Sequence, residues 1–255
     1  MITTLLIDLD GTLIRGKTAI PEAPETVKRL REMGKKLFFI TNASMNDRNG
    51  VLKILDSVGI EAEKEEIFTS SYATAEYISQ NHPNAKVYCI TEGGIEKELK
   101  EKEIETVNNE NADVVAVGLD RKFDYEKMKT AKRAIDKGAV FIASNRDRNY
   151  PVEDELLPGA GTMVAAIQYC TKKEPVVIGK PEPFSADSIA KEYGIKKEEM
   201  MLVGDNLETE GIMAEKTGIK FAFVLGGVSK KEDMKKTKKE PDFVIESIEE
   251  LPNLL

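Results

Sequence analysis

Nine short apolar runs punctuate the chain: TLLI (4–7), KLFFI (36–40), VYCI (87–90), VVAVG (114–118), VFIA (140–143), PVVIG (175–179), MMLVG (200–204), FAFVL (221–225) and DFVI (242–245). Each is nearly continuous in its apolarity rather than alternating with polar residues, which marks strands buried on both faces of a parallel sheet. The segments between them are amphipathic. PETVKRLREMG (24–34) and FSADSIAKEYG (184–194), for example, space their apolar positions as a helix does and close on glycine, the residue expected just past a helix end. Strand and helix in alternation predict an α/β fold with a doubly wound, Rossmann-like parallel sheet.

The middle of the chain carries the same pattern over enough residues to bury a core of its own. The polar, proline-bearing stretches SQNHPNAK (79–86) and YCTKKEPV (169–176) are natural crossing points. The expected organisation is a core domain in two parts, 1–79 and 175–255, interrupted by an inserted α/β domain at 80–174. There are no tandem repeats. The lysine- and glutamate-rich run SKKEDMKKTKKEPD (229–242) reads as a solvated helix face.

Composition narrows the function. With 255 residues, 41% hydrophobic and 32% charged, the chain has ample material for a core, and 37 basic against 45 acidic side chains leave a net charge of −8. That balance argues against a general nucleic-acid binder, which needs a basic face for phosphates. No run approaches the roughly 18 apolar residues of a membrane span. The opening MITTLLIDLDGT lacks the basic region of a signal peptide, so none is expected. Cys89 and Cys170 fit neither a disulfide framework nor a zinc spacing and read as buried, reduced thiols in a cytoplasmic protein. The single histidine, His82, precedes a proline in a turn-like stretch, which leaves little room for histidine-based nucleophilic or zinc chemistry.

What remains is a set of polar groups at the ends of the apolar runs. Asp8 and Asp10 follow the first run with Leu9 between them, so on a strand both carboxylates lie on one side, about 6–7 Å apart by the strand rise. Thr41 and Asn42 follow the second run, Lys180 follows VVIG, and Asp205 and Asn206 follow MLVG. In open parallel sheets ligands bind beyond the carboxyl ends of the strands, at a switch in strand order. Strand ends are polar in most folds, so one such case carries little, but four delivered to one rim define a site. Paired acids repel unless a cation neutralises them, and a hard oxygen cluster favours Mg²⁺. The lysine supplies a counter-ion for a phosphate or for the acids. The residues thus point to phosphate chemistry with a divalent metal. PGAGT (158–162) lacks the full pattern of either a P-loop or a dinucleotide site and reads as a turn and helix start; GGVS (226–229) reads as a turn.

These residues resemble the haloacid dehalogenase superfamily of phosphohydrolases, in its NagD-like, 4-nitrophenylphosphatase branch, whose cap domain is inserted between the second and third motifs. DLDGT (8–12), TN (41–42), the lysine of GKPEP (179–183) and GDNLETE (204–210) match the four motifs in order and spacing, across essentially the whole chain. The resemblance implies a phosphomonoesterase acting on a small phosphorylated metabolite through an aspartyl-phosphate. In that reading Asp8 is the nucleophile and Asp10 the acid and base. Thr41, Asn42 and Lys180 hold the phosphoryl group or substrate. Mg²⁺ is held by Asp8, the backbone carbonyl of Asp10, and Asp205. Two positions depart from the family pattern. Glu210 stands where relatives carry a second aspartate, so it is either a displaced metal ligand or an outer residue. Ala43 stands where relatives often carry a second asparagine.

The loop ASNRDRNYP (143–151) resembles the substrate-facing loop of such caps, which makes Asn145, Asp147 and Arg148 candidates for selecting substrate. Cap-mediated dimers occur among relatives, so a homodimer is compatible with the resemblance. The alternatives are a phospho-accepting signalling module, a phosphomutase or a dehalogenase on the same kind of site. Receiver modules are about half this length and lack an acid two residues beyond the acceptor, and carbon–halogen displacement has no use for Asp10.

Overall fold

The structure, a computed structural model, describes residues 1–152, 155–238 and 240–255. The chain divides into two compact units, one of Met1–Thr41, Val51–Phe68 and Lys180–Leu255, the other of Asn42–Gly50 and Thr69–Gly179.

In chain order the elements are β1 (Thr4–Asp8), the short hairpin strands β2 (Ile14–Arg15) and β3 (Thr18–Ala19), α1 (Ala23–Glu32), β4 (Lys36–Thr41), α2 (Arg48–Ser57) and β5 (Ile67–Thr69). There follow α3 (Ser70–Asn81), β6 (Val87–Ile90), α4 (Gly94–Glu101), β7 (Val114–Val117), α5 (Tyr125–Asp136), β8 (Val140–Ala143), β9 (Asn149–Val152), β10 (Glu155–Pro158), α6 (Ala160–Thr171) and β11 (Val176–Val177). The chain ends with α7 (Phe184–Glu192), β12 (Met200–Gly204), a π-helical turn (Leu207–Gly211), α8 (Ile212–Thr217), β13 (Lys220–Val224) and β14 (Phe243–Ile245).

The first unit is built on a six-stranded sheet of order β14-β13-β12-β1-β4-β5. β1 lies at its centre, parallel to β12 on one side and β4 on the other, with Leu6 opposite both Leu202 and Phe38. The chain winds outward from β1 through β4 to β5, and later through β12 to β14 on the other side. The order therefore reverses beside β1, where a ligand-binding crevice is expected. Every residue of β1 and β12 is buried, as continuous apolarity demands. Leu5, Ile7, Leu37, Phe39, Met201 and Val203 belong to one apolar core with Val27 and Leu30 of α1. Pro24 opens α1, and Gly34, at φ +73°, follows its end in the left-handed conformation that glycine adopts without strain.

The second unit has its own four-stranded sheet, β11-β8-β7-β6, with all neighbours parallel, and a separate core of Ile90, Val115, Val117, Phe141, Val164 and Ile167 among others. β9 and β10 form an antiparallel hairpin. Gly159 caps α6, so PGAGT is the expected turn and helix start.

Several expectations change. The run 175–179 does not supply a strand of the main sheet: Val176 and Val177 pair with Ile142 and Ala143 of β8. Apolarity marks a buried strand but not the sheet it joins. The crossings expected near 80 and 174 fall instead at 68/69 and 179/180, because α3 packs against α4 and β11 extends the second sheet. Cys89 and Cys170 are free but half-buried rather than fully enclosed. The lysine-rich run forms a 3-10 helix over Lys231–Lys236 rather than an α-helix, and its Lys239 lies outside the described residues. Among the described residues no helix is long and apolar enough to cross a membrane.

Candidate active site

Three of the expected side chains reach one rim of the first unit because their strands are in register. Asp8 is the last residue of β1, Thr41 the last of β4, and Asp205 follows β12 directly. The backbone then turns at once: the amides of Leu13 and Ile14 both donate to the Leu9 carbonyl at 2.9 Å. Gly11 sits in this turn at φ +92°, and a Cβ there would stand 2.2 Å from Oδ2 of Asp205. Glycine is thus required for the turn and for the close approach of the neighbouring carboxylate.

Lys180 provides the cation. Its ammonium donates to Oδ1 of Asp8, lies 2.5 Å from Oε1 of Glu210, and reaches the Ile40 carbonyl at 3.4 Å. Asp8, Lys180 and Glu210 are all buried. The π-helical turn brings Glu210 inward, where Thr209 Oγ1 donates to its Oε2 at 2.8 Å. A Cβ at residue 204 would stand 2.4 Å from Cγ of Glu210, so Gly204 makes room for the longer acid. Asp205, also buried, accepts the Val228 N–H on Oδ2 at 2.6 Å. Asp10 projects from the same turn with solvent contact and is hydrogen-bonded to Thr41.

Four acids share this neighbourhood with one ammonium. Burial pushes the Asp8 carboxyl well up, Lys180 pulls it back, and Glu210, Asp205 and Asp10 each add to the rise. Asp205 is pushed up to about 6, first by burial and then by Glu210. Surrounding protein also raises Asp10, against Lys180 and Thr41, although its contact with water damps the effect. Lys180 is held as an ammonium, well above its ordinary range, because its two acid partners outweigh burial.

These shifts have a consequence for stability. The folded chain holds protons on Asp8 and Asp205 that the unfolded chain has released above the ordinary value of 3.8. Their contribution is fullest below that value and is lost as pH rises through the folded pKa, about 6 for Asp205. Protein stripped of cations with a chelator is therefore expected to melt higher at about pH 5.5 than at about pH 7.5. Asp205 alone contributes about 1 kcal/mol over that interval, or roughly 2–4 °C for a chain of this size. Thermal unfolding followed by circular dichroism checks this, and a melting temperature that falls on acidification contradicts it.

The surplus of buried acid suits a divalent cation, since the donors are hard oxygens and one ammonium does not balance them. Among the described residues no three acid, histidine or cysteine side chains are grouped to hold a metal ion. The physical reason is Lys180, which engages Glu210 and one oxygen of Asp8. The other oxygen of Asp8, Oδ1 of Asp205 and the Asp10 carbonyl are the oxygens suited to a cation.

The remaining candidates belong to the second unit. The Asn42 side-chain amide donates to both oxygens of Asp147, at 3.1 and 3.0 Å, and the backbone carbonyl of Asn42 accepts from Asn145 Nδ2 and Ser70 Oγ, each at 2.8 Å. Asn145 is buried and Arg148 is exposed. Asn42 is thus committed to Asp147, a pairing the sequence did not signal. Nor did it signal the contact of Val228 with Asp205; the clue was a Gly-Gly pair just past an apolar run that ends at the same rim.

Comparison with known proteins shows the family. A family model described as haloacid dehalogenase-like hydrolase matches residues 5–105, and one described as HAD-hydrolase-like matches residues 177–251. The 5'-nucleotidase YutF of Bacillus subtilis is 39% identical over 96% of this chain and 95% of its own. An acid sugar phosphatase of Staphylococcus epidermidis is 36% identical over 93% of this chain and 92% of its own. The solved structure of a p-nitrophenyl phosphatase from Archaeoglobus fulgidus superposes with a TM-score of 0.94 at 34% identity, covering 100% of this chain and 99% of that one. The chain belongs to the haloacid dehalogenase-like hydrolases and is a phosphatase of that family.

Proposed function

We propose that this phosphatase hydrolyses phosphomonoesters of small metabolites through an aspartyl-phosphate on Asp8, in the cytoplasm and with Mg²⁺ as its cation. The observation that carries the reading is the division of labour between the two acids of DLDGT. Asp8 is buried and ion-paired to Lys180, whereas Asp10 stands in contact with solvent and Thr41. One is built as an acceptor held beside a cation, the other as a group that exchanges a proton.

An oxygen of Asp8 attacks phosphorus, forming the Asp8–phosphorus bond as the ester oxygen leaves. The leaving oxygen takes the proton of Asp10. Water then attacks phosphorus, gives its proton to Asp10 and breaks the Asp8–phosphorus bond, which releases phosphate and restores both acids. The first step needs Asp10 protonated and Asp8 ionised. Burial and the neighbouring acids push the Asp8 carboxyl up, the Lys180 ammonium favours its ionised form against them, and a bound cation would favour that form further. Lys180 and Thr41 hold phosphoryl oxygens, because phosphoryl transfer depends mainly on positioning and electrostatic stabilisation. Asp8, Asp205 and the Asp10 carbonyl would hold the cation, which when bound neutralises charge on the transferring group. Asn42 and Asn145 are engaged with Asp147 and with each other. Arg148, which is exposed, is therefore the residue of the 143–151 loop assigned to substrate contact, and Glu210 is assigned to holding Lys180.

The names of the relatives span nucleotides and sugar phosphates, so the substrate class extends to small phosphorylated metabolites as a group. A phosphate-release screen over nucleoside monophosphates, sugar phosphates, phosphoglycolate and 4-nitrophenyl phosphate tests the reading. Release is expected with Mg²⁺, lost on chelation and restored by adding Mg²⁺ back. Undiminished release after chelation removes the cation from the proposal, and no release from any ester removes the activity.

A further inference from the structure

The loop GGVS (226–229) encloses Asp205 on several sides. The Val228 N–H donates to Oδ2 of Asp205 at 2.6 Å, and the Ser229 N–H donates to the Asp205 carbonyl at 3.0 Å. Ser229 Oγ, buried, accepts the N–H of Leu207 at 3.0 Å and so pins the turn that begins just beyond Asp205. Gly227 lies against the same carboxylate, where a Cβ would stand 1.8 Å from Oδ2. Gly11 makes the same kind of close approach, with a Cβ there 2.2 Å from Oδ2. Val228 itself is 66% exposed, so its buried contribution is the amide and not the side chain. Arg15, on the hairpin that follows Asp10, donates from Nη2 to the Gly226 carbonyl at 3.1 Å.

We infer that the 226–229 loop is a positioning element for the cation: it occupies Oδ2 of Asp205, leaves Oδ1 as the single oxygen offered for ligation, and is itself joined through Arg15 to the hairpin that follows Asp10. The inference rests on the reading of Asp205 as a cation ligand. Ser229 and Arg15 touch neither substrate nor cation and act through Asp205. A carboxylate with one oxygen fixed by a backbone amide cannot swing into two-oxygen ligation, and it loses little freedom when it binds.

The test is direct binding of Mn²⁺ to chelator-stripped full-length protein, with free Mn²⁺ read by electron paramagnetic resonance. Asp205→Asn is expected to abolish measurable binding. Ser229→Ala is expected to weaken binding by about 10–100-fold, the range found when groups orienting a ligand are removed. Ser229→Thr, which keeps the acceptor, is expected to restore it. In Ser229→Ala, kcat on 4-nitrophenyl phosphate is expected to recover at saturating cation with KM unchanged, an outcome that general misfolding does not give. Should Ser229→Ala fail to fold, Arg15→Ala probes the same loop from the surface, with a severalfold loss of Mn²⁺ affinity expected. If Asp205→Asn loses Mn²⁺ while the loop variant that folds binds as the parent does, the positioning inference is overturned and the ligand reading stands. Parental affinity in Asp205→Asn overturns both.

Discussion

Asp8→Asn is expected to remain folded and to lose turnover of 4-nitrophenyl phosphate by about 10⁴-fold or more, the scale of loss when a covalent nucleophile is removed. Asparagine keeps the shape of the side chain but offers no anionic oxygen to phosphorus, so the first bond does not form. Stability is expected to change little, because the substitution removes one acid from a crowded buried group and leaves Lys180 paired with Glu210. The melting temperature is expected to stay within about 4 °C of the parent, or to rise. Phosphate release under saturating Mg²⁺, with circular dichroism on the same sample, provides both readouts. Turnover above roughly one tenth of the parent, which corresponds to less than about 1.4 kcal/mol of barrier, removes Asp8 as the acceptor. The comparison with Asp10→Asn sharpens this. That variant retains an anionic nucleophile, so a good leaving group such as 4-nitrophenolate, which needs little help from an acid, is expected to suffer less than an alkyl phosphate.

Much of the fold could be read from apolar continuity alone. All nine apolar runs contribute a strand, because a residue buried on both faces of a parallel sheet has no use for polarity. What continuity does not encode is partnership, and PVVIG ends as an edge of the second sheet although its pattern matches that of β12. Brevity hides elements as well. β5 is three residues long, and the hairpin strands Ile14–Arg15 and Thr18–Ala19 have two each, too few for any periodicity to show. The site followed a similar division. Residues at strand ends were legible, because the end of an apolar run fixes where the next side chain stands. Residues acting through the backbone were not: Val228 contributes an amide, and Gly11, Gly204 and Gly227 contribute room. The posture of Glu210 depends on the π-helical turn before α8, and nothing in LETEG announces that extra residue in the turn.

The pairing of Lys180 with Asp8 and Glu210 supports the second large effect. Lys180→Met is expected to abolish turnover and to cost about 3–5 kcal/mol of stability at neutral pH, because it leaves Asp8 and Glu210 buried and unopposed. That is a large share of the 5–15 kcal/mol typical of a folded domain. Methionine fills most of the lysine's volume, so the loss reports charge rather than a cavity. Two further measurements separate this from simple misfolding. The deficit is expected to shrink as pH falls, since protonating Asp8 removes its unopposed charge. It is also expected to shrink in the double variant Lys180→Met with Glu210→Gln, by at least about 1 kcal/mol in a double-mutant cycle, as coupled neighbours require. Glu210→Gln alone is expected to spare much of the stability, because Asp8 still answers the ammonium. If Lys180→Met unfolds at the parent's denaturant midpoint across the pH range, the pairing of Lys180 with Asp8 and Glu210 contributes nothing to the fold. A cation would then have to be the principal counter-charge of the site, and in that case the Lys180→Met variant would lose its stability only after chelation.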